Sequence, residues 1–133
     1  MSNSNDDGHC VFEHIAVNVA DSDAAIEWYT KNLAMRVLRN VPGEKAFLGD
    51  ASGRPVLEIY ANPTAPVLNF EEIHPLSFHI AFAVADPDAK ASELVAAGAK
   101  IAEPAKESGG DSMIMLTDPF GVAIQLLRRE RPL

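Results

Sequence analysis

Two histidines and two side chains with ligand oxygens occupy repeated positions in this sequence. His14 opens the segment HIAVNVADSDA and His79 opens HIAFAVADPDA, and eight of the eleven positions are identical. Glu58 lies in the apolar run VLEIY and Gln125 in AIQLL, at corresponding places of the two halves. Two imidazoles, one carboxylate and one amide oxygen suit a divalent ion such as Zn²⁺, Ni²⁺, Mn²⁺ or Fe²⁺. These four residues are therefore candidate metal ligands, provided that the fold brings them together.

The repeat extends beyond the two histidines. They are 65 positions apart, and DASG, which begins at Asp50, corresponds to DPFG, which begins at Asp118. We infer a duplicated unit of roughly 55–65 residues. A length of 133 residues favours one domain. We expect that domain to comprise an N-terminal tail (1–10), module one (11–63), a linker with prolines (64–75) and module two (76–129).

The segment that carries each histidine alternates like a half-buried β-strand. In Glu13–Val19 and again in Ser77–Val84, apolar side chains alternate with small or polar ones, and His14 and His79 fall on the polar side. Glu13 shares the apolar side at the start of the first strand. The last strand of each module also alternates between two faces, and Glu58 or Gln125 is a polar side chain on one of them. If the two modules curve their sheets into one cleft, all four side chains converge there.

A helix and three further strands are predicted to follow the first strand of each module. Asp21 or Ser22 can cap the first helix, and Asp86 caps the second, which has Pro87 at its first position. The further strands are expected at 36–41, 46–49 and 56–61, and at 100–103, 112–117 and 122–127. Each module is therefore predicted to be β-α-β-β-β.

The composition disfavours several classes of protein. A net charge of −8 works against binding to phosphate backbones, so we expect no nucleic-acid partner. No apolar run approaches the roughly 20 residues of a membrane span, and the polar, acidic segment 1–9 is not typical of a secretory signal. The single cysteine, Cys10, cannot form a disulfide within the chain. We therefore expect a cytoplasmic protein that does not contact a membrane.

Over residues 12–128 the sequence resembles the vicinal oxygen chelate superfamily, which includes glyoxalase I, methylmalonyl-CoA epimerase, extradiol dioxygenases and bleomycin-binding proteins. The resemblance lies in EHIAVNV, WYTKNLAMRVL, VLEIYAN, FHIAFAV and GGDSMIMLTDPFGVAIQLL. It implies an α+β fold in which two tandem βαβββ modules form a curved mixed sheet around a cleft. The family's ligand positions, on the first and last strands of each module, correspond to His14, Glu58, His79 and Gln125.

The local likeness is greatest to bacterial glyoxalase I, which implies a metal-dependent lyase or isomerase like lactoylglutathione lyase. Such an enzyme transfers a proton between adjacent carbons of a small chelating carbonyl substrate through a metal-bound enediolate. Glu58, the only carboxylate of the set, is then both a metal ligand and the catalytic base. Gln125 stands where glyoxalase I usually has a glutamate, so we expect the metal to be bound more weakly here and to be a better Lewis acid.

Three residues are candidates for substrate binding. Tyr60 shares a strand face with Glu58. Asn62 matches a position that contacts glutathione in glyoxalase I, whereas Asn18 stands where that family has an arginine for the glutathione carboxylate. We therefore expect one divalent metal per site as the cofactor, and the sequence disfavours glutathione.

Two alternatives to a lyase or isomerase stay open. A metal-free dimeric binding protein of the bleomycin-resistance type needs only the shape of a cleft and apolar walls. An Fe²⁺-dependent dioxygenase needs two histidines and one carboxylate, which His14, His79 and Glu58 provide, although the family normally has its carboxylate at the place of Gln125. The resemblance also implies a small-molecule ligand and a homodimer, with clefts built within one chain or from modules of two chains.

Overall fold

Two stretches of the chain repeat the same succession of strands and helix. In the computed structural model, which describes residues 8–133, the first stretch contains β1 (Ile15–Asn18), α1 (Ser22–Asn32), β2 (Arg36–Val41), β3 (Lys45–Gly49) and β4 (Pro55–Tyr60). The second contains β5 (Ile80–Ala83), α2 (Pro87–Ala96), β6 (Lys100–Ser108), β7 (Asp111–Thr117) and β8 (Ala123–Arg128), preceded by a short 3₁₀ helix at Phe70–Glu72. The prediction of an α+β fold with two tandem βαβββ modules is confirmed.

The chain divides into two compact units between Val67 and Leu68, within the predicted linker. Each unit has its own four-stranded mixed sheet, with the orders β1-β4-β3-β2 and β5-β8-β7-β6. The first and last strands of each unit pair in parallel, and the other neighbours pair antiparallel. The last strand is therefore central in each sheet, beside the strand that follows the histidine.

Each helix begins where an aspartate can accept a hydrogen bond from its first turn. The carboxylate of Asp21 accepts from the Ala24 N–H at 3.1 Å, and that of Asp86 accepts from the Ala89 N–H at 3.1 Å. Of the two predicted caps of α1, the structure selects Asp21, because Ser22 is already the first helical residue and is buried. Pro87 occupies the first turn of α2 as predicted, where it leaves no backbone donor unsatisfied.

The central strand of each sheet is buried on the face that meets the helix. In β4, Leu57 and Ile59 are buried and alternate with half-buried Glu58 and Tyr60. In β8, Gln125 is half-buried between the fully buried Ile124 and Leu126. In β4 this period of two separates an apolar core face from the face that carries Glu58. In β8 the neighbours of Gln125 on its own face, Ala123 and Leu127, are buried as well.

Several predicted boundaries differ from the observed ones. The first strand begins at Ile15, so Glu13 precedes the strand instead of sharing its apolar face. β6 continues through Pro104 to Ser108, because it is an edge strand whose pairing with β7 is irregular between Glu103 and Lys106, and such a strand tolerates a proline. Of the predicted tail 1–10, residues 1–7 lie outside the described part of the chain, and 8–10 are exposed.

Tight turns join the antiparallel strands where the sequence has glycine. Gly109 and Gly110, between β6 and β7, have φ angles of 59° and 88°, as a two-residue hairpin turn requires. None of the helices within residues 8–133 has the length and apolar character needed to cross a membrane.

Candidate functional site

In the first unit, the candidate ligand His14 lies immediately before β1. Its Nδ1 is 2.8 Å from the Oε1 of Glu13, which as a carboxylate oxygen can only accept, so Nδ1 carries the proton. The edge of one ring meets the face of the other between His14 and Phe47, with centroids 5.2 Å apart and an angle of 78°. These contacts leave Nε2 as the ring nitrogen that can bind a ligand.

Glu58 extends from the middle of β4 on the face that is not buried against the core. Its partners across the sheet are Ala16 on β1 and Phe47 on β3. The small side chain of Ala16 leaves space on one side of Glu58, and Phe47 is its neighbour across the sheet on the other side. The side chain of Glu58 is only 12% exposed, so its charge is partly withdrawn from water.

His14 and Glu58 are brought together as the sequence predicted. His14 Nε2 lies 3.4 Å from Glu58 Oε1, which is longer than an ordinary N–H···O hydrogen bond. Two donor atoms at about 2.1 Å from one ion in a tetrahedral arrangement would be about 3.4 Å apart. The two atoms therefore fit the spacing of neighbouring ligands on a divalent metal.

In the second unit, His79 has the corresponding position immediately before β5. Its Nδ1 is 2.8 Å from the carbonyl oxygen of Pro75, which can only accept a hydrogen bond, so Nδ1 again carries the proton. His79 therefore also has Nε2 free of that bond and able to bind a ligand. A histidine held through Nδ1 by an acceptor is the usual arrangement of a metal-binding imidazole.

Gln125 corresponds to Glu58 in register as well as in sequence. Its partners across the sheet are Ala81 on β5 and Met115 on β7. Its side-chain nitrogen donates to the sulfur of Met113 at 3.8 Å, which leaves the amide oxygen as the atom that can bind a cation. His79 precedes β5 by one residue, and the alternation of the strand places it on the same face as Ala81 and Gln125.

The donor types fit a divalent ion, since each unit offers one imidazole nitrogen and one side-chain oxygen, two of the four predicted ligands. Among residues 8–133, no group of three or more His, Cys, Asp and Glu side chains is placed to hold a metal ion.

The predicted substrate-binding residues lie where the paired strands β1 and β4 end. Asn18 accepts a hydrogen bond from the Asn62 N–H at 2.7 Å, and its Nδ2 donates to the carbonyl oxygens of Asn62 and Ala65 at 3.1 and 3.0 Å. The side chain of Asn62 in turn accepts from the N–H and the hydroxyl of Thr64 at 3.0 and 2.7 Å. Tyr60 is half-buried and pairs with Asn18 and Lys45 across the sheet.

Sequence reasoning missed two residues that contact His14. Glu13 was assigned to the apolar side of a strand, but the strand begins two residues later and the carboxylate turns back to His14 Nδ1. Phe47 carried no signal beyond its place in an apolar strand. Pairing of β3 with β4 brings it opposite Glu58, and the Nζ of Lys45 lies 5.9 Å from the centre of its ring.

An open cavity of about 680 Å³ lies in the second unit, where α2 begins. Its lining in the described part of the chain contains none of the four candidate ligands, but it includes Met113, the contact of Gln125. Arg128, which donates to the Ser112 hydroxyl at 3.1 Å, also lines it.

Comparisons with known proteins identify the family of this chain. Residues 11–126 match the family model of the Glyoxalase/Bleomycin resistance protein/Dioxygenase superfamily. The chain is similar to a probable lactoylglutathione lyase of Vibrio cholerae, at 32% identity over 127 residues that cover 89% of this chain and 90% of the relative. It is also similar to a probable chloroplastic lactoylglutathione lyase of Arabidopsis thaliana, at 36% identity over 126 residues and 87% of this chain.

The match spans only 35% of the length of the Arabidopsis protein. Among solved structures, the chain is similar to TnmS3, an antibiotic binding protein from Streptomyces sp. CB03234, with a TM-score of 0.69 and 20% identity. That similarity covers 92% of this chain and 98% of TnmS3, and at this identity it shows a common fold alone.

Proposed function

Because the chain belongs to the Glyoxalase/Bleomycin resistance protein/Dioxygenase superfamily, we propose that it is a metal-dependent lyase or isomerase of the glyoxalase type. Its substrate is a small molecule in which a carbonyl group neighbours a carbon with an acidic proton. The observation that most supports this proposal is the 3.4 Å separation of His14 Nε2 and Glu58 Oε1. The similarity to two proteins named probable lactoylglutathione lyase supports the same class of reaction.

Four side chains are proposed to hold one divalent ion of Zn, Ni, Mn or Fe: His14, Glu58, His79 and Gln125. Both histidines would bind through Nε2, since Nδ1 is engaged by Glu13 or by the Pro75 carbonyl. When bound, the ion supplies a Lewis acid that polarises the substrate carbonyl. With one carboxylate among the four ligands, the ion keeps about one positive charge.

Glu58 is proposed to move the proton. It would accept the proton from one carbon of the substrate and return it to the adjacent carbon, which requires a carboxylate within hydrogen-bond reach of both. Its small neighbour Ala16 leaves room for a substrate on this face, and the apolar Phe47 is its neighbour on the other side. A base that is only 12% exposed loses its proton to water less readily than an exposed one.

The substrate is proposed to lack a glutathionyl group. Both polar atoms of the Asn18 side chain and the side-chain oxygen of Asn62, the two candidate contacts for that group, form hydrogen bonds within the loop after β4. Tyr60, on the same strand face as Glu58, is then the proposed contact for the body of a smaller substrate. A lower turnover of the glutathione–methylglyoxal hemithioacetal than of an α-hydroxyketone such as hydroxyacetone would support this specificity.

The first test is the metal content of the full chain. The protein would be incubated with each of the four ions, freed of excess ion and measured by elemental analysis. We expect about one ion per chain in the wild type and none in the variant His14→Ala/His79→Ala. The variant His9→Ala/His74→Ala removes the same number of imidazoles and should keep the ion. A wild-type chain that retains none of the four ions would overturn the proposal.

The second test is loss of the α-proton signal of hydroxyacetone in D₂O, followed by proton NMR. A metal-dependent enzyme of this type exchanges that proton with solvent, and chelation by EDTA should stop the exchange. An exchange rate equal to that without protein, in a chain that holds its metal, would contradict the isomerase proposal.

A metal-free binding protein is the second candidate. The neutral amide of Gln125 favours this candidate, because a charged fourth ligand would hold an ion more tightly. The shared fold with TnmS3 is compatible with a binding protein. A dioxygenase is the third candidate and would show Fe²⁺-dependent consumption of O₂. Binding of an apolar drug-like ligand without metal, and without proton exchange, would identify the second candidate.

The assembly and location of the chain are further proposals. We propose a homodimer in the cytoplasm that binds a small molecule. We also propose that it binds neither nucleic acid nor membrane, because the net charge of −8 disfavours anionic surfaces. Light scattering coupled to gel filtration would measure the mass against 14.3 kDa for one chain.

A further inference from the structure

The two histidines are held at Nδ1 by acceptors of different kinds. His79 meets the backbone carbonyl of Pro75, which is neutral and belongs to the main chain. His14 meets the carboxylate of Glu13, which is charged and belongs to a side chain. Both distances are 2.8 Å. The acceptor at Nδ1 is therefore a side chain in the first unit and a backbone carbonyl in the second.

The contacts of His14 form a short chain of side chains on one face of the sheet. Glu13 Oε1 lies 2.8 Å from Nδ1, and Glu58 Oε1 lies 3.4 Å from Nε2 on the opposite side of the ring. Phe47 meets the ring edge to face and limits its rotation. Glu13 is the outermost member, with 74% of its side chain exposed, so it can be replaced without opening a hole in the core.

A carboxylate at Nδ1 decides which nitrogen of a neutral imidazole is free. Because the carboxylate only accepts, it favours the tautomer with the proton on Nδ1 and leaves the lone pair on Nε2. It also makes Nε2 a stronger ligand, and partners of this kind commonly change metal affinity by about 10–100-fold.

We propose that Glu13 is a positioning residue: it holds His14 in the Nδ1–H tautomer with Nε2 turned to Glu58. This inference rests on the proposed metal site for its consequence, since a ligand must offer Nε2, but the tautomer itself can be observed in the metal-free chain. Glu13 itself touches neither metal nor substrate.

The test compares the full chain with Glu13→Ala, which removes the acceptor, and Glu13→Gln, which keeps an accepting oxygen without the charge. Glu27→Ala, on the exposed side of α1, is the matched control for the loss of one carboxylate. Long-range ¹H–¹⁵N spectra of histidine-labelled protein at about pH 8.5 report the tautomer of neutral imidazoles. The His14 signals are assigned from their loss in His14→Gln.

We expect Nδ1–H at His14 in the wild type and in Glu27→Ala, a mixture of tautomers in Glu13→Ala, and recovery in Glu13→Gln. His79, held by a backbone carbonyl, should keep its tautomer in every variant and serves as an internal control for folding. Zn²⁺ affinity, measured by competition with a chromophoric chelator, should fall about tenfold in Glu13→Ala and less in Glu13→Gln.

The outcomes separate the two proposals. Zn²⁺ binding by the wild type, with the same tautomer and the same affinity in Glu13→Ala, would overturn the role of Glu13 and leave the metal site intact. A tautomer that changes in Glu13→Ala, in a wild-type chain that binds no metal, would support the role of Glu13 and overturn the proposed function. An unchanged tautomer with weakened Zn²⁺ binding would also overturn the positioning role.

Discussion

The two units share a backbone frame and differ in the side chains that it carries. Directly after the first strand of each unit, an N–H donates to the end of the last strand: Val19 to the Tyr60 carbonyl at 2.8 Å, and Val84 to the Leu127 carbonyl at 2.9 Å. Both helices have an aspartate cap with the same 3.1 Å hydrogen bond. Paired strands and capped helices therefore reproduce the fold in both halves, whatever the open face carries.

The open faces show how the halves diverge. In the first unit the histidine lies between two carboxylates. In the second unit the histidine meets a backbone carbonyl, and the neutral amide of Gln125 stands on the neighbouring strand. Asn18 holds the loop after β4, but the corresponding residue of β5, Ala83, has no polar side chain for such a task. The negative charge near the candidate ligands therefore lies in the first unit, and this difference predicts unequal effects of equivalent substitutions in the two units.

The largest expected effect is on turnover. Glu58→Gln should lower kcat by about 10²–10⁴-fold, because it replaces the proposed base by a group that cannot take a proton. The isosteric amide keeps the volume of the half-buried position, so the free energy of unfolding should change little. Steady-state proton exchange measures the effect, with Glu27→Gln on α1 as the control. Retained turnover would remove Glu58 from this role.

The next effect compares the two equivalent turns that precede the last strands. The carboxylate of buried Asp118 accepts from the N–H groups of Phe120 and Val122 at 2.8 and 2.9 Å. Asp50 makes the same kind of turn but is partly exposed. Asp118→Ala should cost about 2–3 kcal/mol of unfolding free energy and Asp50→Ala about 1 kcal/mol, because water can replace the partner only at the exposed turn.

Urea unfolding of both variants measures this difference. Asp118→Asn and Asp50→Asn keep an accepting oxygen and should recover most of the loss. Equal costs for the two alanine variants would show that burial does not distinguish the turns.

A smaller effect is the change in metal affinity when the candidate ligand Gln125 of the second unit gains a charge. Gln125→Glu gives β8 the carboxylate that β4 already has. Metal affinity should rise about tenfold, because a second negative charge lies next to the cation. Competition with a chromophoric chelator measures the affinity, and Gln125→Met, of similar size without a ligand oxygen, should lower it. No change in either variant would exclude Gln125 from the ligand set.

The smallest effect is a pH dependence of the first unit. The hydrogen bond from the Ser52 hydroxyl is the largest cause that lowers the pKa of Asp50; burial opposes it, and backbone N–H groups and the Arg54 charge lower the pKa further. A lowered pKa in the folded state means that this stabilisation is complete above the unfolded pKa of about 3.9. It is lost as the pH falls through the folded pKa.

The unfolding free energy of wild type minus that of Asp50→Ala should therefore be constant from about pH 6 to 5 and shrink below about pH 4. Urea titrations at several pH values would check this. A difference that grows towards acid would contradict the direction of the shift.

Much of the fold could be predicted from the sequence because its signals are local and repeated. Alternation in β4 and β8 separates buried residues from Glu58 and Gln125, and an aspartate before each helix satisfies its free N–H groups. Strand ends were less predictable. The predicted strand 100–103 is too short, because the observed β6 continues through Pro104 to Ser108, where an edge position does not need the missing N–H.

The sequence by itself determined the repeat, the βαβββ succession and the identity of His14 and Glu58 as residues of one face. Only the tertiary structure decided which atoms of that face can act. The turn of Glu13 back to Nδ1 depends on the conformation of the chain just before β1. The 3.4 Å approach of Nε2 to Glu58 and the engagement of Asn18 by the loop after β4 depend on pairing between distant strands. A pattern along the chain records the side of a strand, whereas distances between side chains depend on register and packing.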